Sequence, residues 1–189
     1  SGEVVTSHSD GVLHGTFEPL APQLFLRATP LTQADEPIAA FAGDLWQEGD
    51  AIGSLHRLNR ALHERFTLDR GRPDPGRSAG DSFAGDDATP RDLAHMFIAG
   101  ARSMGLPARY VTGYCDVHDE RPAPHGWADA WVAGLGWVGF DPTLGVSPEE
   151  HHVRVAVALD AVGASPVAGS RLGEGQERLD VDVRVNAQD

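Results

Sequence analysis

The stretch T-P-R-D-L-A-H-M-F-I-A-G-A-R-S-M-G-L-P-A-R-Y-V-T-G-Y, residues 89–114, decides the fold. Thr89 reads as an N-cap, Pro90 as the first helical position and Asp92 as an acid at the third, which is the order in which a helix begins. Leu93, Met96, Phe97, Ala101 and Met104 then recur at three- and four-residue spacing as a buried stripe, and Gly105 followed by Pro107 stops the helix. Arg109 to Cys115 reads as a strand. Trp127 to Val132 and Trp137 to Asp141, set apart by turn-rich pieces, read as two more, so an antiparallel sheet packed against the preceding helix is expected. Val153 to Leu159 and Leu179 to Val185 add two further alternating segments.

Upstream, Ile52, Leu55, Leu58, Leu62 and Phe66 recur with helical spacing, with Arg57, Arg60, Glu64 and Arg65 between them. This predicts an amphipathic helix capped by Asp50. Residues 68–88 are dense in Gly, Asp, Pro and Arg without periodicity, and read as a mobile loop or lid. Residues 1–31 hold two extended-looking pieces, Glu3 to Thr6 and Gln23 to Arg27, punctuated by Gly and Pro. The start at Ser1-Gly2 without methionine is read as a processed form or a fragment.

Composition narrows the class. The 189 residues carry 41% hydrophobic content, enough for one sizeable core, and a formal net charge of -13. An acidic balance of that size repels phosphate backbones and anionic membranes, so neither nucleic acid nor a membrane is an expected partner. All 15 basic residues are arginine, a pattern that fits a G+C-rich bacterial genome. No run approaches the roughly 20 apolar residues of a membrane helix, and no signal-peptide pattern is visible, so a soluble, cytoplasmic protein is expected. The single cysteine, Cys115, excludes an internal disulfide and leaves at most one thiol nucleophile. His118, His125, His151 and His152 match no compact zinc spacing. No metal and no cofactor are expected from the sequence.

Four blocks carry a resemblance: R-D-L-A-H from Arg91, G-L-P-A-R-Y-V-T-G-Y from Gly105, H-G-W-A-D-A-W from His125, and G-W-V-G-F-D-P-T from Gly136. In order and spacing they resemble the bacterial transglutaminase-like family, within the papain-like cysteine protease superfamily. Its members resemble G-V-C-Q-D-F-A-H, G-[IL]-P-A-R-Y-V-S-G-Y, H-A-W-x-E-V-W and G-W-x-x-F-D-P-T. The resemblance covers most of residues 23–185. It implies an α+β, papain-like transglutaminase-core fold with helices packed on an antiparallel sheet. The domain is expected over residues 32–189, preceded by an N-terminal segment, residues 1–31, that is either extended or the tail of a β-rich domain.

The resemblance also implies a chemistry. A helix-start cysteine attacks an amide, a histidine shuttles protons and an aspartate orients the histidine. A helix N-terminus suits the thiolate because its free N-H groups and dipole favour negative charge. His125 matches the family histidine and Asp141 the aspartate. Aligning R-D-L-A-H on Q-D-F-A-H puts Pro90 at the cysteine position, with Ala88 and Thr89 for the preceding glycine and valine. Proline suits a helix start and has no nucleophilic atom.

Leu144 stands where relatives tend to have asparagine, and Leu159 to Gly163 depart from G-R-D-Y-A-D. These departures are expected to line the cleft. Arg109 matches a strand arginine expected to pair with an acid, and Trp127, Trp131 and Trp137 are expected in the core or the cleft wall.

The leading expectation is a pseudoenzyme that keeps His125 and Asp141 and binds a peptide or amine-bearing partner. The alternative is an active amide hydrolase or acyltransferase, with His125 and Asp141 as general base or Cys115 as a relocated nucleophile. A purely structural module is the third reading.

Overall fold

The computed structural model describes residues 7–9, 12–14, 20–71, 77–115 and 123–165. Two short strands, β1 (Ser7–Ser9) and β2 (Val12–His14), open the chain as a hairpin. A 3-10 turn at Pro22–Leu26 follows, where extended chain is expected from the sequence. Pro22 sits in its first turn, and Phe25 is buried edge-on against Trp137. Burial of that one ring fixes a local turn that an apolar run alone does not reveal.

Helix α1 (Glu36–Leu45) is absent from the sequence reading, although its signal is present. Asp35 caps it by accepting from the Ile38 N-H, and a proline lies in its first turn. Helix α2 (Ala51–Arg65) matches expectation, and the Asp50 carboxylate accepts from the Gly53 N-H. Within residues 68–88, read from the sequence as a mobile loop or lid, the described residues 68–71 and 77–88 carry regular structure. Here lie β3 (Thr67–Leu68), α3 (Ala79–Phe83) and β4 (Asp87–Ala88), with β3 and β4 paired in parallel. Phe83 anchors this stretch. It is buried between Phe41 and Phe66, with the Arg65 guanidinium 3.8 Å from its ring centre. One aromatic in a Gly- and Asp-rich stretch leaves no periodicity for the sequence to show.

Helix α4 (Pro90–Ser103) begins as the sequence predicts. Thr89 and Asp92 form a capping box, each side chain bonded to the other's backbone N-H at 3.1 Å, with Pro90 in the first turn. It ends in a Schellman motif: the Leu106 N-H reaches the Ala101 carbonyl, the Gly105 N-H reaches the Arg102 carbonyl, and Gly105 takes φ +79°.

Strands β5 (Ala108–Cys115), β6 (Ala123–Val132), β7 (Gly136–Phe140) and β8 (His152–Ala158) complete a six-stranded sheet in the order β1-β2-β7-β6-β5-β8. Every pairing described in it is antiparallel. The expected Leu179 to Val185 strand, the Glu3 to Thr6 piece and His118 lie outside the described residues. No helix among the described residues is long and apolar enough to cross a membrane.

Alternation divides the sheet into two chemistries. Ala108, Tyr110, Ala128, Ala130, Val132, Val138 and Phe140 join the core formed with α4. Phe97 of α4 stacks on Phe140 at 5.0 Å. The intervening positions of β5 and β6 carry Arg109, Cys115, His125, Trp127 and Asp129. Arg102 ties the layers together from the end of α4. Its guanidinium donates to the carbonyls of Phe25, Ala108 and Leu159 and to the Thr32 hydroxyl. Burial lowers its pKa to about 10.

Candidate active site

Asp141 follows β7 directly, and the sequence around it fixes its direction. The turn through Pro142 to Val146 closes on it: the Asp141 N-H donates to the Val146 carbonyl, and the Gly145 N-H returns to the Asp141 carbonyl at 2.8 Å. Gly145 takes φ +73° with the His63 ring against it, so a side chain at this position meets both strain and a clash. Helix α2 holds the turn from outside through Asn59 Nδ2, which donates to the Val146 carbonyl, and through a 3.1 Å contact between His63 Nδ1 and the Thr143 carbonyl.

The Asp141 carboxylate is fully buried and receives three contacts. The Thr143 N-H donates to Oδ1 at 2.9 Å. Oδ2 lies 2.6 Å from His125 Nε2 and 3.0 Å from His152 Nε2. Burial alone raises a carboxylate pKa. Here the hydrogen bonds and charge of His125 and His152 oppose it and hold Asp141 well below the usual carboxylate range.

His125 and Asp141, paired in the sequence reading, are thus in direct contact. The bond at Nε2 leaves His125 Nδ1 as the nitrogen available for other work. His152 was not singled out as part of this pair. It begins β8, whose register places it opposite Cys115. The Glu149 N-H donates to its Nδ1 at 3.1 Å, which requires a lone pair there and assigns the proton of the neutral ring to Nε2. Nε2-H is therefore the donor to Asp141.

Cys115 lies across from His152 in the ladder and also stands near His125. Its Sγ is 3.7 Å from His152 Nε2. In the β5–β6 register Gly113 pairs with His125, and Cys115 pairs with Ala123. The same His152 nitrogen meets both the sulfur and Asp141, whereas a nucleophile, base and acid relay needs two different ring nitrogens.

Trp127 walls this cluster, fully buried, 6.1 Å from the His125 ring and 5.3 Å edge-on to His152. Gly113 makes room for it: a Cβ there would lie 2.6 Å from the Trp127 ring and 2.0 Å from the Val153 carbonyl. Beyond it, Arg109 and Arg154 both bind buried Asp129, at 2.8 and 2.7 Å. Arg109 also lies 4.0 Å over the Trp137 ring. Trp131 packs against Trp137 at 5.5 Å, so the three strand tryptophans serve as wall and core.

Pro90 is half-buried at the head of α4. Leu93, one turn further on, lines a cavity of about 270 Å³ together with His63, Phe66, Leu68, Arg70, Thr143 and Leu144. The first turn of α4 therefore stands beside the turn that carries Asp141. Leu144 does line this cleft, as expected. Leu159 and Asp160 do not line it: the Leu159 carbonyl is bound by Arg102, and the Ala161 N-H donates to His95 Nε2.

Comparison with known proteins places this arrangement. A protein-glutamine gamma-glutamyltransferase of Pseudomonas aeruginosa is 33% identical over 119 residues, covering 55% of this chain and 18% of that protein. A Mycobacterium leprae protein described as uncharacterized is 36% identical over 104 residues, covering 50% of this chain and 36% of its own. The chain spans less than half the length of the curated relatives it matches.

Among solved structures, a candidate cysteine protease of Cytophaga hutchinsonii superposes with TM-score 0.62 and 26% identity, over 73% of this chain and 47% of that one. The periplasmic domain of TgpA from Pseudomonas aeruginosa shares the fold, with TM-score 0.52 and 22% identity over 66% and 47% of the two chains. Residues 39–142, more than half of this chain, match the Transglutaminase-like superfamily, and the chain belongs to it.

Proposed function

We propose that this protein is a transglutaminase-like pseudoenzyme, a domain that keeps the family's histidine and aspartate and uses its cleft to bind a peptide or amine-bearing partner. The observation that carries this reading is Pro90. In the alignment of the four blocks it takes the position of the nucleophilic cysteine, and it sits as the first residue of α4 between the two members of an intact capping box. Thioester chemistry requires a thiolate at the helix N-terminus. The proline ring supplies neither a thiol nor a hydroxyl. The apolar lining of the adjacent cavity, Phe66, Leu68, Leu93 and Leu144, suits a side chain of a bound peptide better than a small polar substrate.

The alternative, an active amide hydrolase or acyltransferase, has one observation in its favour: Cys115, His152 and Asp141 form a continuous set of contacts. Its weakness is the shared Nε2, which carries a proton for Asp141 and so does not accept one from the thiol.

The experiment is amide hydrolysis and amine incorporation measured on the unaltered chain and on Pro90→Cys. The pseudoenzyme reading expects no turnover from the first and thiol-dependent turnover from the second. Turnover by the unaltered chain that disappears in His125→Ala or on thiol alkylation would sink it.

A further inference from the structure

The site holds a donor set of which the family's reaction uses His125 alone. Cys115 ends β5, while His125 lies near the start of β6 and His152 begins β8. One ligand atom from each of these three lies within 4.8 Å of the others. Cys115 Sγ and His152 Nε2 are 3.7 Å apart. In a tetrahedral site with metal-sulfur bonds of about 2.3 Å and metal-nitrogen bonds of about 2.0 Å, the sulfur-nitrogen edge is about 3.5 Å. Cys115 and His152 therefore already stand near the spacing a cation needs, and His125 lies close enough to complete the set.

We propose that Cys115, His125 and His152 bind a zinc-class divalent cation, with the Asp141 carboxylate beside it. Thiolate with imidazole is a donor set that suits zinc over calcium or magnesium. Cys115 as thiolate and Asp141 together carry two negative charges, which a divalent ion neutralises. His125 and His152 are almost fully buried, Asp141 is fully buried, and Trp127 closes one side, so the ligands are held by the fold and not by solvent-exposed rotamers. Three protein ligands leave a fourth position for water or for a group of a bound partner.

Protons balance as follows. The thiol releases its proton to solvent, the ring proton of His152 moves from Nε2 to Nδ1, and the metal takes the Nε2 lone pair in place of the hydrogen bond to Asp141. The Glu149 N-H contact to Nδ1 must then open. That amide becomes a reporter of loading. The site stands on these side chains alone and does not require the peptide-binding reading of the cleft.

The test uses the full chain without a polyhistidine tag, stripped with chelator and titrated with cobalt(II) and with zinc(II). The expected result is one equivalent per chain, a sulfur-to-cobalt charge-transfer band, and faster hydrogen exchange at the Glu149 amide in the zinc-loaded form. Cys115→Ser should abolish the band, and both it and His152→Ala should weaken zinc binding at least about tenfold. His151→Ala, altering an exposed neighbour, should leave binding unchanged. Circular dichroism establishes that each variant is folded, and Cys115→Ala provides a second thiol-free variant. No stoichiometric binding, binding without the charge-transfer band, or binding unaltered in both thiol-free variants overturns the proposal.

Discussion

His95 offers a sharp test of how the buried polar groups of α4 act. Its ring is fully buried, and its Nε2 accepts the Ala161 N-H at 3.1 Å, which ties the turn after β8 to the helix. Desolvation, helped by the charge of Arg91 and only partly opposed by Asp160 and Asp92, lowers its pKa from 6.5 to about 4. The folded protein therefore refuses a proton that the unfolded chain takes up below pH 6.5. A histidine pKa lowered on folding contributes stability that is present above the unfolded value and is lost as pH falls towards the folded one. One pKa unit is about 1.4 kcal/mol, so about 2 kcal/mol is lost between pH 8 and pH 5, and about 3 kcal/mol once pH has fallen through 4.

That loss is large against a total stability of roughly 5–15 kcal/mol. The perturbation is His95→Gln, neutral at every pH, with an amide oxygen able to accept the Ala161 N-H. Urea denaturation of both proteins at pH 8, 6.5 and 5 reads the difference, with equal m-values as the check that two-state comparison holds. The unaltered protein should lose about 2 kcal/mol more than the variant between pH 8 and 5. Parallel pH profiles, or a ring resonance of His95 titrating near 6.5, would refute the reasoning.

Other consequences follow from single side chains. Gly126→Ala puts a Cβ 1.9 Å from the Tyr110 hydroxyl, in the residue next to His125, and should cost roughly 1–3 kcal/mol in thermal or urea unfolding. Arg102→Met leaves the Phe25, Ala108 and Leu159 carbonyls without their donor and should cost roughly 4 kcal/mol, with the 22–26 turn losing hydrogen-exchange protection first. Thr89→Ala removes the N-cap of α4 at about 1 kcal/mol, whereas Pro90→Cys should shift stability by less than about 1 kcal/mol, as denaturation midpoints will read. Asp141→Asn turns an acceptor of three N-H groups into a mixed donor and acceptor, and a loss of roughly 2–4 kcal/mol is expected; no loss would mean that the carboxylate is not a structural anchor.

What is legible in the sequence is what is local. Capping obeys nearest-neighbour chemistry, so Thr89, Pro90 and Asp92 give the start of α4 from four letters, and Asp50 gives α2 in the same way. Strands β5 to β8 are legible because their apolar runs are set off by turn-rich pieces, whereas β1 and β2, three residues each, are too short to show a pattern. The His125 and Asp141 contact is legible only through the four motif blocks, since sixteen residues and a strand turn separate the two. His152 is missed because its role depends on register: the β5–β8 ladder shifts between Thr112 and Gly113, and that irregularity sets which residue stands opposite Cys115. The elements described within residues 68–71 and 77–88 leave no periodicity in the sequence, because they are short and Phe83 is the single aromatic that anchors them.

The two features that define the site rest on separate physical grounds. Pro90 is held by helix-start chemistry, which needs no sulfur and loses little when sulfur is absent. His125 and Asp141 are held by burial, because a carboxylate with three N-H contacts and no solvent exposure cannot be removed without stranding its donors. Their burial and hydrogen bonds give this pair a part in folding that is separate from any part in catalysis. On the proposed reading, the head of α4 carries the functional information, because Pro90 suits a helix start and supplies no nucleophilic atom.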